Sequence, residues 1–185
     1  YFIGYNSCEV YAFDKNSGQL IWKNTNINSP TSYNSCPIIS ANLLYVATDN
    51  GDVYAFNKTT GQLVWSYSTD FQFCPAPVVD DSTVYFAGFD VNNNNLSTIR
   101  ALDKTTGNFK WEFKAPGDIY AGLFIDMNKL YVGCTDKVCI LNKLTGSKEK
   151  EVNTPGFSVN GLVTDKKTLY YGATQGMNSI IYAIE

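Results

Sequence analysis

The chain alternates short apolar runs with short polar turns, at a spacing typical of β-strands. Within residues 43–67, the runs LLYVA, VYAF and LVWSY are separated by turns that contain Asn, Asp, Thr and Gly. Apolar positions recur every second residue, β-branched and aromatic residues are frequent, and turn residues return about every 8–12 positions. This pattern predicts an all-β protein and argues against a helical one.

One strand–turn–strand segment occurs several times along the chain. It reads VYAFDKNSGQLIW at 10–22, VYAFNKTTGQLVW at 53–65 and IRALDKTTGNFKW at 99–111. A weaker copy, VCILNKLTGSKEK, begins at Val138, and a fifth starts as IYAIE at 181–185. The turn glycines of the first four copies are 43, 46 and 39 residues apart: Gly18, Gly61, Gly107 and Gly146. This period lies in or near the range of about 40–50 residues expected of four-stranded propeller blades.

A second recurring element precedes each copy. A tyrosine opens an apolar run at Tyr1, Tyr45, Tyr85, Tyr131 and Tyr170. A shorter apolar segment lies upstream of the last four runs, so a complete unit is predicted to hold four strands. In the second unit we expect them at Pro37–Ile39, Leu44–Thr48, Val53–Phe56 and Leu63–Ser66. The units cover about 1–30, 31–70, 71–116, 117–156 and 157–185, within one domain spanning 1–185.

The third strand of each unit separates large from small side chains. In the second unit Tyr54 and Phe56 lie on one face, and Val53 and Ala55 lie on the other. Because both faces are apolar, both should be covered, as happens when wedge-shaped blades stack face to face. In the third unit the segment 90–97 lengthens one turn and includes four consecutive asparagines. We expect it to be a polar surface loop, with a partner-contacting loop as the alternative.

The spacing shared by the copies is A-x-[DN]-x-x-[ST]-G-x-x-x-W, which resembles the PQQ-like β-propeller repeat. Its residues here are Ala12, Asp14, Ser17, Gly18 and Trp22; Ala55, Asn57, Thr60, Gly61 and Trp65; and Ala101, Asp103, Thr106, Gly107 and Trp111. The resemblance covers essentially the whole chain. It implies a β-propeller of four-stranded antiparallel blades in which each Trp packs across to a neighbouring blade and has a structural role.

The fourth copy departs from this repeat at two positions. It keeps Gly146, but Ile140 replaces the Ala and Lys150 stands where the Trp would be. The Trp contact is therefore not expected there, and this unit is predicted to carry a solvent-exposed or specialised blade edge.

The predicted strands do not close a ring. The first unit lacks its first strand and the last unit lacks its fourth, which leaves 18 strands in three full and two partial blades. Both partial units hold the two middle strands, so they cannot combine into one blade. Members of the family have seven or eight blades, so we expect a partial propeller that belongs to a larger one. A five-bladed ring with two incomplete blades is the alternative.

The five cysteines are Cys8, Cys36, Cys74, Cys134 and Cys139. Because the number is odd, at least one is free or pairs outside the chain. Cys134 and Cys139 flank a short turn between two strands, where a disulfide or a shared metal ligand is one interpretation and two buried thiols are another. Cys36 occupies a position where other units carry Ala or Gly, which predicts a small core residue.

Composition excludes several classes of function. Charged residues make up 17% of the chain, the net charge is −3, and the 14 Lys and Arg residues are scattered, so a nucleic-acid-binding face is not expected. No apolar run approaches the roughly 20 residues of a membrane span. The chain has no histidine, which removes the commonest general base and the Ser-His and Cys-His nucleophile pairs.

The resemblance also raises the question of the cofactor pyrroloquinoline quinone (PQQ). It implies that dehydrogenases of this fold hold PQQ with adjacent cysteines, a stacking Trp and calcium ligands of the Glu, Asn and Asp type. The chain has no Cys-Cys pair, and its three Trp belong to the repeat motif. We therefore expect no catalytic, metal or cofactor site in this segment.

Two functional hypotheses follow. The first is a non-catalytic binding or scaffolding module for a protein or glycan partner. The alternative is a fragment of a PQQ-dependent dehydrogenase whose cofactor residues, with calcium, lie outside this segment. Low charge and many Asn, Thr, Ser and Tyr favour an extracytoplasmic location, whereas unpaired cysteines argue the other way.

Overall fold

A computed structural model describes residues 2–3, 9–25, 27, 36–72, 75–90, 96–119, 122–154, 157–165, 167–175 and 178–184. All nineteen regular elements in these residues are β-strands, and every pairing between them is antiparallel. The all-β prediction is confirmed.

The strands form five sheets, one for each predicted unit. Unit 1 contains β1 (Phe2–Ile3), β2 (Val10–Phe13) and β3 (Leu20–Asn24). Unit 2 contains β4 (Ile38–Ser40), β5 (Leu43–Ala47), β6 (Val53–Asn57) and β7 (Leu63–Tyr67). Unit 3 contains β8 (Phe71–Gln72), β9 (Val78–Val79), β10 (Thr83–Asp90), β11 (Leu96–Asp103) and β12 (Phe109–Lys114). Unit 4 contains β13 (Leu123–Asp126), β14 (Lys129–Gly133), β15 (Lys137–Asn142) and β16 (Lys148–Asn153). Unit 5 contains β17 (Phe157–Thr164), β18 (Leu169–Gln175) and β19 (Asn178–Ile184).

In units 1, 2, 4 and 5 the sheet is a meander in which strands adjacent in sequence are also adjacent in the sheet, whereas in unit 3 both β8 and β9 pair with β10. The order is β4-β5-β6-β7 in unit 2 and β13-β14-β15-β16 in unit 4, and units 1 and 5 have three strands each. The four strands predicted for unit 2 agree with β4–β7 to within one residue at each end. The described residues therefore form the predicted succession of full and partial propeller blades.

Unit 3 differs from the prediction because its middle hairpin is longer. The segment 90–97 was expected to be an exposed loop, but Asp90 and Leu96 pair as the last rung of β10 and β11. Ser97 is buried, and its hydroxyl accepts a hydrogen bond from the backbone N–H of Ile119 at 2.9 Å. The extended hairpin also pairs with the extra strand β8. Residues 91–95 lie outside the described residues.

Neighbouring sheets pack face to face in chain order. We call the side of a sheet that contacts the next unit its forward face, and the opposite side its rear face. In unit 2 the forward face consists of Tyr45, Ala47, Val53, Ala55 and Trp65, and it packs on the rear-face residues Val84, Phe86 and Leu102 of unit 3. Tyr54 and Phe56, on the rear face of unit 2, pack against unit 1. The predicted division of large and small side chains is confirmed.

A β-bulge recurs beside the motif Trp. In unit 2, Ala55 pairs with Trp65 and Phe56 pairs with Leu63, so that Val64 is an extra residue in the outer strand. The register shifts at the same place in units 1, 3 and 4. Leu63 and Val64 are consecutive in a strand and are both exposed, which is the irregular side-chain alternation expected at a bulge.

Candidate functional site

The three motif tryptophans are held in structural contacts between units. Their indole N–H groups donate hydrogen bonds to backbone carbonyls of the next unit, from Trp22 to Lys58 at 2.9 Å, from Trp65 to Lys104 at 3.1 Å and from Trp111 to Lys143 at 3.1 Å. All three side chains are buried.

Each indole lies on a turn glycine of the next unit. A Cβ atom added at Gly61, Gly107 or Gly146 would lie 2.6–2.8 Å from the indole of Trp22, Trp65 or Trp111, respectively. These glycines also have φ of 72°, 74° and 73°, in the left-handed region. Glycine is therefore needed at these positions for two reasons. A side chain would overlap the indole ring, and only glycine adopts this positive φ without strain.

The motif Asp and Asn side chains organise the turns. The Oδ1 atom of Asp14 accepts hydrogen bonds from the backbone N–H groups of Asn16 and Ser17. Asn57, Asp103 and Asn142 accept the equivalent pair of bonds in their own turns. Backbone hydrogen bonds lower the pKa of Asp14 and of Asp103 below the usual value. The motif Ala residues, Ala12, Ala55 and Ala101, pair directly with the Trp of the neighbouring strand.

A partly buried polar network joins units 3 and 4. The carboxylate of Asp80 accepts hydrogen bonds from the backbone N–H groups of Ser82 and Thr83 at 2.8 Å and from the Tyr85 hydroxyl at 3.0 Å, and lies 3.0 Å from Lys143 Nζ. Burial alone would raise the pKa of Asp80, but these hydrogen bonds outweigh it and lower the pKa. Burial raises the pKa of Tyr85. This network links units 3 and 4 through Asp80 and Lys143.

The cysteines do not form the disulfide that was considered from the sequence. Cys134 and Cys139 are free thiols, both buried in the apolar cluster between units 3 and 4. A hydrogen bond with Cys139 and burial raise the pKa of Cys134. Cys36 is also free, but it is exposed, which corrects the prediction of a core residue: it precedes β4 and is not covered by a neighbouring sheet. Cys8 and Cys74 lie outside the described residues.

The described residues do not fit a quinone site. Each of the three indole rings packs on a glycine and donates its N–H group to a backbone carbonyl, so none is open for stacking on a cofactor. The thiols of Cys134 and Cys139 are buried in an apolar cluster and are five residues apart in sequence, whereas the family's quinone site uses adjacent cysteines. The described part of the chain also holds no group of three or more His, Cys, Asp or Glu placed to bind a metal ion. The expectation that this segment carries no cofactor stays a prediction.

The junction between units 4 and 5 differs from the other three. Lys150 pairs with Ile140 at the position of the motif Trp and Ala. A cavity of about 160 Å³ lies at this junction, lined by Lys129, Tyr131, Ile140, Lys150, Val152, Thr164, Lys167, Leu169 and Ile184. Lys150 was singled out from the sequence, but Lys129 and Lys167 were missed. Aligning Lys129 with Leu43 and Thr83 of the earlier units would have revealed the change of residue type.

A second surface feature, also missed, is an apolar band on the outermost strands of units 1–3. We define the apolar band as Leu20, Ile21, Leu63, Val64 and Phe109, which are each 44–59% exposed. The corresponding residues of unit 4 are Lys148 and Glu149. The sequence does show an apolar residue two positions after the turn glycine in GQLIW, GQLVW and GNFKW. The alternating pattern, however, does not predict the bulge that exposes two consecutive residues.

Comparison with known proteins identifies the family. A family model described as outer membrane protein assembly factor BamB matches residues 6–176. No curated protein matches the chain in sequence. No helix in the described part of the chain is long and apolar enough to cross a membrane.

Three solved structures illustrate the likeness of fold. The computationally designed Ika8 protein superposes with a TM-score of 0.79 at 18% identity, over 97% of this chain and 54% of that one. Quinohemoprotein alcohol dehydrogenase from Comamonas testosteroni has a TM-score of 0.70 at 16% identity, over 95% of this chain and 36% of that one. BamB from Moraxella catarrhalis has a TM-score of 0.51 at 20% identity, over 97% of this chain and 65% of that one.

The chain thus spans 36–65% of the length of these three proteins, and at such low identity the likeness concerns the fold. The family model, in contrast, matches nearly the whole sequence, including all three complete copies of the motif. The chain belongs to the PQQ-like β-propeller repeat family.

Proposed function

We propose that this chain is a non-catalytic binding module that holds a protein partner on its outer rim. The apolar band carries the proposal. Large aliphatic and aromatic side chains are exposed at equivalent positions in three successive units, and such patches on soluble proteins mark interaction surfaces.

The band lies on edge strands, which adds to its capacity for binding. Strands β3, β7 and β12 each form one end of their sheet, so their outer backbone groups are not paired within the sheet. An extended segment of a partner could pair with such an edge while its apolar side chains cover the band. Aliphatic side chains favour a protein partner over a glycan, which would be met by polar and aromatic groups.

The polar residues of the motif support a binding role rather than catalysis. The Asp and Asn side chains are used to close turns, and the indole N–H groups are bonded to backbone carbonyls. The likeness to a quinohemoprotein dehydrogenase is one of fold. The dehydrogenase-fragment hypothesis therefore has no supporting contact among the described residues, and a direct assay of oxidation can test it.

We also propose an extracytoplasmic location. The support is the match to a family described by outer membrane protein assembly, together with the low charge of the chain. Attaching a reporter that is active only outside the cytoplasm to the protein in its own host would test this, and activity confined to the cytoplasm would contradict it.

The experiment for the binding role uses three substitutions in the band, Leu20→Lys, Leu63→Lys and Phe109→Lys, in one variant. The matched control carries Met127→Lys and Leu144→Lys, two apolar residues that are 65% exposed on turns outside the band. Immobilised wild type and both variants are compared for retention of proteins from an extract of the host and for binding to a glycan array.

A protein that is retained by wild type and control but lost with the band variant supports the proposal. Equal retention by all three proteins, or binding to glycans alone, contradicts it. A parallel assay adds PQQ and Ca²⁺ and measures dye-linked oxidation of alcohols and sugars, and turnover there would favour the dehydrogenase hypothesis.

A further inference from the structure

Two cysteine side chains lie next to each other in the interface between units 3 and 4. Cys139 is in β15 and pairs with Val132 of β14. Cys134 directly follows β14, and its backbone N–H donates a hydrogen bond to the carbonyl of Lys137. The two cysteines are therefore diagonal neighbours on one face of the hairpin. Their exposed fractions are 1% and 0%, and their thiols hydrogen-bond to each other.

The repeat does not require sulfur at either position. Cys134 corresponds to Thr48 of unit 2, whose backbone N–H also bonds a carbonyl across the hairpin. Cys139 corresponds to Tyr54 of unit 2 and Arg100 of unit 3, because all three occupy the second position of the repeated segment. Unit 4 thus carries cysteine at two neighbouring positions where unit 2 has other residue types. Two thiols in contact have a chemistry that neither has alone, since together they can be oxidised to one disulfide.

A hydrogen bond and two lysines favour the thiolate form of Cys139. Glu151 pairs with Cys139 across β15 and β16. Glu151 also binds Lys137 Nζ at 3.2 Å and Lys148 Nζ at 2.6 Å. The hydrogen bond from Cys134, helped by the two lysines, lowers the pKa of Cys139 against the opposing effects of burial and Glu151. The same hydrogen bond, followed by burial, raises the pKa of Cys134. Cys139 therefore loses its proton first, and the thiolate is the nucleophilic form of cysteine.

A short connection covers the two thiols. Ala115 and Ile119, in the segment between β12 and β13, belong to the same apolar cluster as the cysteines. A Cβ atom added at Gly117 would lie 3.7 Å from the Cβ of Cys134. The segment 115–119 belongs to no strand, and connecting segments open more readily than paired strands. A small oxidant can therefore reach the thiols without separation of the two sheets.

We propose that Cys134 and Cys139 form a reversible redox pair, which changes from two thiols to one disulfide on reaction with a small-molecule disulfide. The observations that carry the proposal are the contact between the thiols, their position in one hairpin and the lysines beside Cys139. It does not depend on the apolar band. An extracytoplasmic location would place the pair where disulfides form and persist.

The exchange takes place in two steps. The Cys139 thiolate attacks one sulfur of the small disulfide, which forms a mixed disulfide and releases one small thiolate. Cys134 then passes its proton to a small thiolate and attacks the sulfur of Cys139, which releases the second small thiolate. In total the two protein thiols lose two electrons and two protons, and the small disulfide takes them up to become two thiols.

The diagonal arrangement predicts a disulfide that is easily reduced. Diagonal neighbours on paired strands are about 7–8 Å apart, whereas the Cα atoms of a disulfide are usually about 4.4–6.8 Å apart. The end of the hairpin must therefore close slightly, and the turn at Thr135 and Asp136 can absorb this shift. A disulfide that needs such a shift is strained and is reduced more readily than a structural one.

The test exposes the folded 185-residue chain to oxidised glutathione and assigns the state of each cysteine by mass spectrometry. The sample is quenched with acid, unfolded and alkylated, which distinguishes free thiols, mixed disulfides and disulfides within the chain. Cys36, which is exposed, is the internal control for the oxidant. We expect loss of alkylation at both Cys134 and Cys139, with a disulfide between them, once Cys36 has reacted. Excess reduced glutathione should restore both thiols.

Several outcomes would overturn the proposal. Cys134 and Cys139 might both be alkylated although Cys36 has reacted, the reaction might stop at a mixed disulfide, or either residue might pair with another cysteine of the chain. A disulfide between Cys134 and Cys139 that excess reduced glutathione leaves intact would contradict its reversibility.

Two single variants test the order of attack. Cys134→Ser keeps a hydroxyl that can donate the same hydrogen bond, so Cys139 should form a mixed disulfide with glutathione. Cys139→Ser should form one at Cys134 at least about tenfold more slowly, because Cys134 is the thiol that keeps its proton. The matched control Cys36→Ser should form the Cys134–Cys139 disulfide at the wild-type rate. Thermal unfolding of each variant checks the fold. A faster reaction in Cys139→Ser than in Cys134→Ser would overturn the role of Cys139 as the attacking thiol.

Discussion

The three junctions among units 1–4 and the junction between units 4 and 5 are built on the same backbone but closed by different side chains. In the first three, the indole ring packs on a glycine of the next unit, and the indole N–H donates a hydrogen bond to a backbone carbonyl of that unit. In the last, Ile140 and Lys150 replace Ala and Trp, and a cavity remains. Unit 4 thus departs from the repeat at the two paired positions that carry Ala and Trp in the other units.

The two substitutions in unit 4 place different side chains at the junction. Ile140 is buried and lies in one apolar cluster with Tyr131, Val138, Leu169 and Tyr171. Lys150, which pairs with Ile140, is exposed. The described residues of units 4 and 5 thus pack through apolar side chains close to the middle strands.

The largest expected difference between the two kinds of junction concerns the Trp position itself. Trp65→Ala should lower the free energy of unfolding by about 3–5 kcal/mol, because it removes a large buried side chain and leaves a cavity. Lys150→Ala should change it by less than about 0.5 kcal/mol, because the side chain is exposed. Urea unfolding followed by circular dichroism measures both, and similar losses in the two variants would contradict the comparison.

A second, smaller effect separates the two roles of the turn glycines. Gly107→Ala should cost about 2–4 kcal/mol, since the new methyl group would both strain a positive φ and overlap Trp65. Gly18 has φ of 69°, but a methyl group added there would meet nothing within 4 Å, so Gly18→Ala should cost only about 1 kcal/mol. The same unfolding measurement applies. Equal costs would show that the indole–glycine contact adds nothing to the backbone requirement.

The smallest effect concerns the polar network between units 3 and 4. Asp80→Asn should cost about 1–3 kcal/mol at about pH 7, because it weakens hydrogen bonds to a charged group and the pairing with Lys143. Asp126→Asn, at the equivalent position of unit 4, should cost less than about 0.5 kcal/mol, because the Asp126 side chain makes no hydrogen bond with the described residues. Urea unfolding of both variants measures the contrast, and equal costs would contradict the role given to the Asp80 network.

This pair also predicts a pH dependence. Since the pKa of folded Asp80 is lowered, its contribution is fully present above the unfolded value of about 3.9 and is lost as the pH falls through the lower folded value. The difference in unfolding free energy between wild type and Asp80→Asn should therefore be constant above about pH 5 and shrink below about pH 4. A difference that persists unchanged at about pH 2 would contradict this assignment.

Much of the fold can be predicted from the sequence because the same strand and turn patterns recur in several copies of the repeat. Alternation, Gly-containing turns and the Trp spacing located β4–β7 to within one residue. The sequence did not reveal β8 or the long β10–β11 hairpin, because asparagines favour turns wherever they occur while Ser97 is held in the strand by a tertiary hydrogen bond to Ile119. Local propensity cannot report such a distant contact.

The candidate sites were less accessible to sequence reasoning. The missing Trp at Lys150 was visible, but the cavity also needs Lys129 from a neighbouring strand and Lys167 from the next unit. The exposure of Leu63 beside Val64 depends on a bulge, which an alternating pattern does not encode. Both features depend on how two strands or two units are placed together.

The recurring bulge has a consequence for how this repeat can change in length. Three residues lie between the turn glycine and the Trp in each of the first three copies, and one of them is the extra residue of the bulge. Deleting Val64 would remove the bulge while leaving Leu63 opposite Phe56 and Trp65 opposite Ala55, so the ring would stay on its face and the local bend and twist of the outer strand would be lost. The extra residue therefore sets the bend of the outer strand in each of these units, and not the face on which the Trp lies.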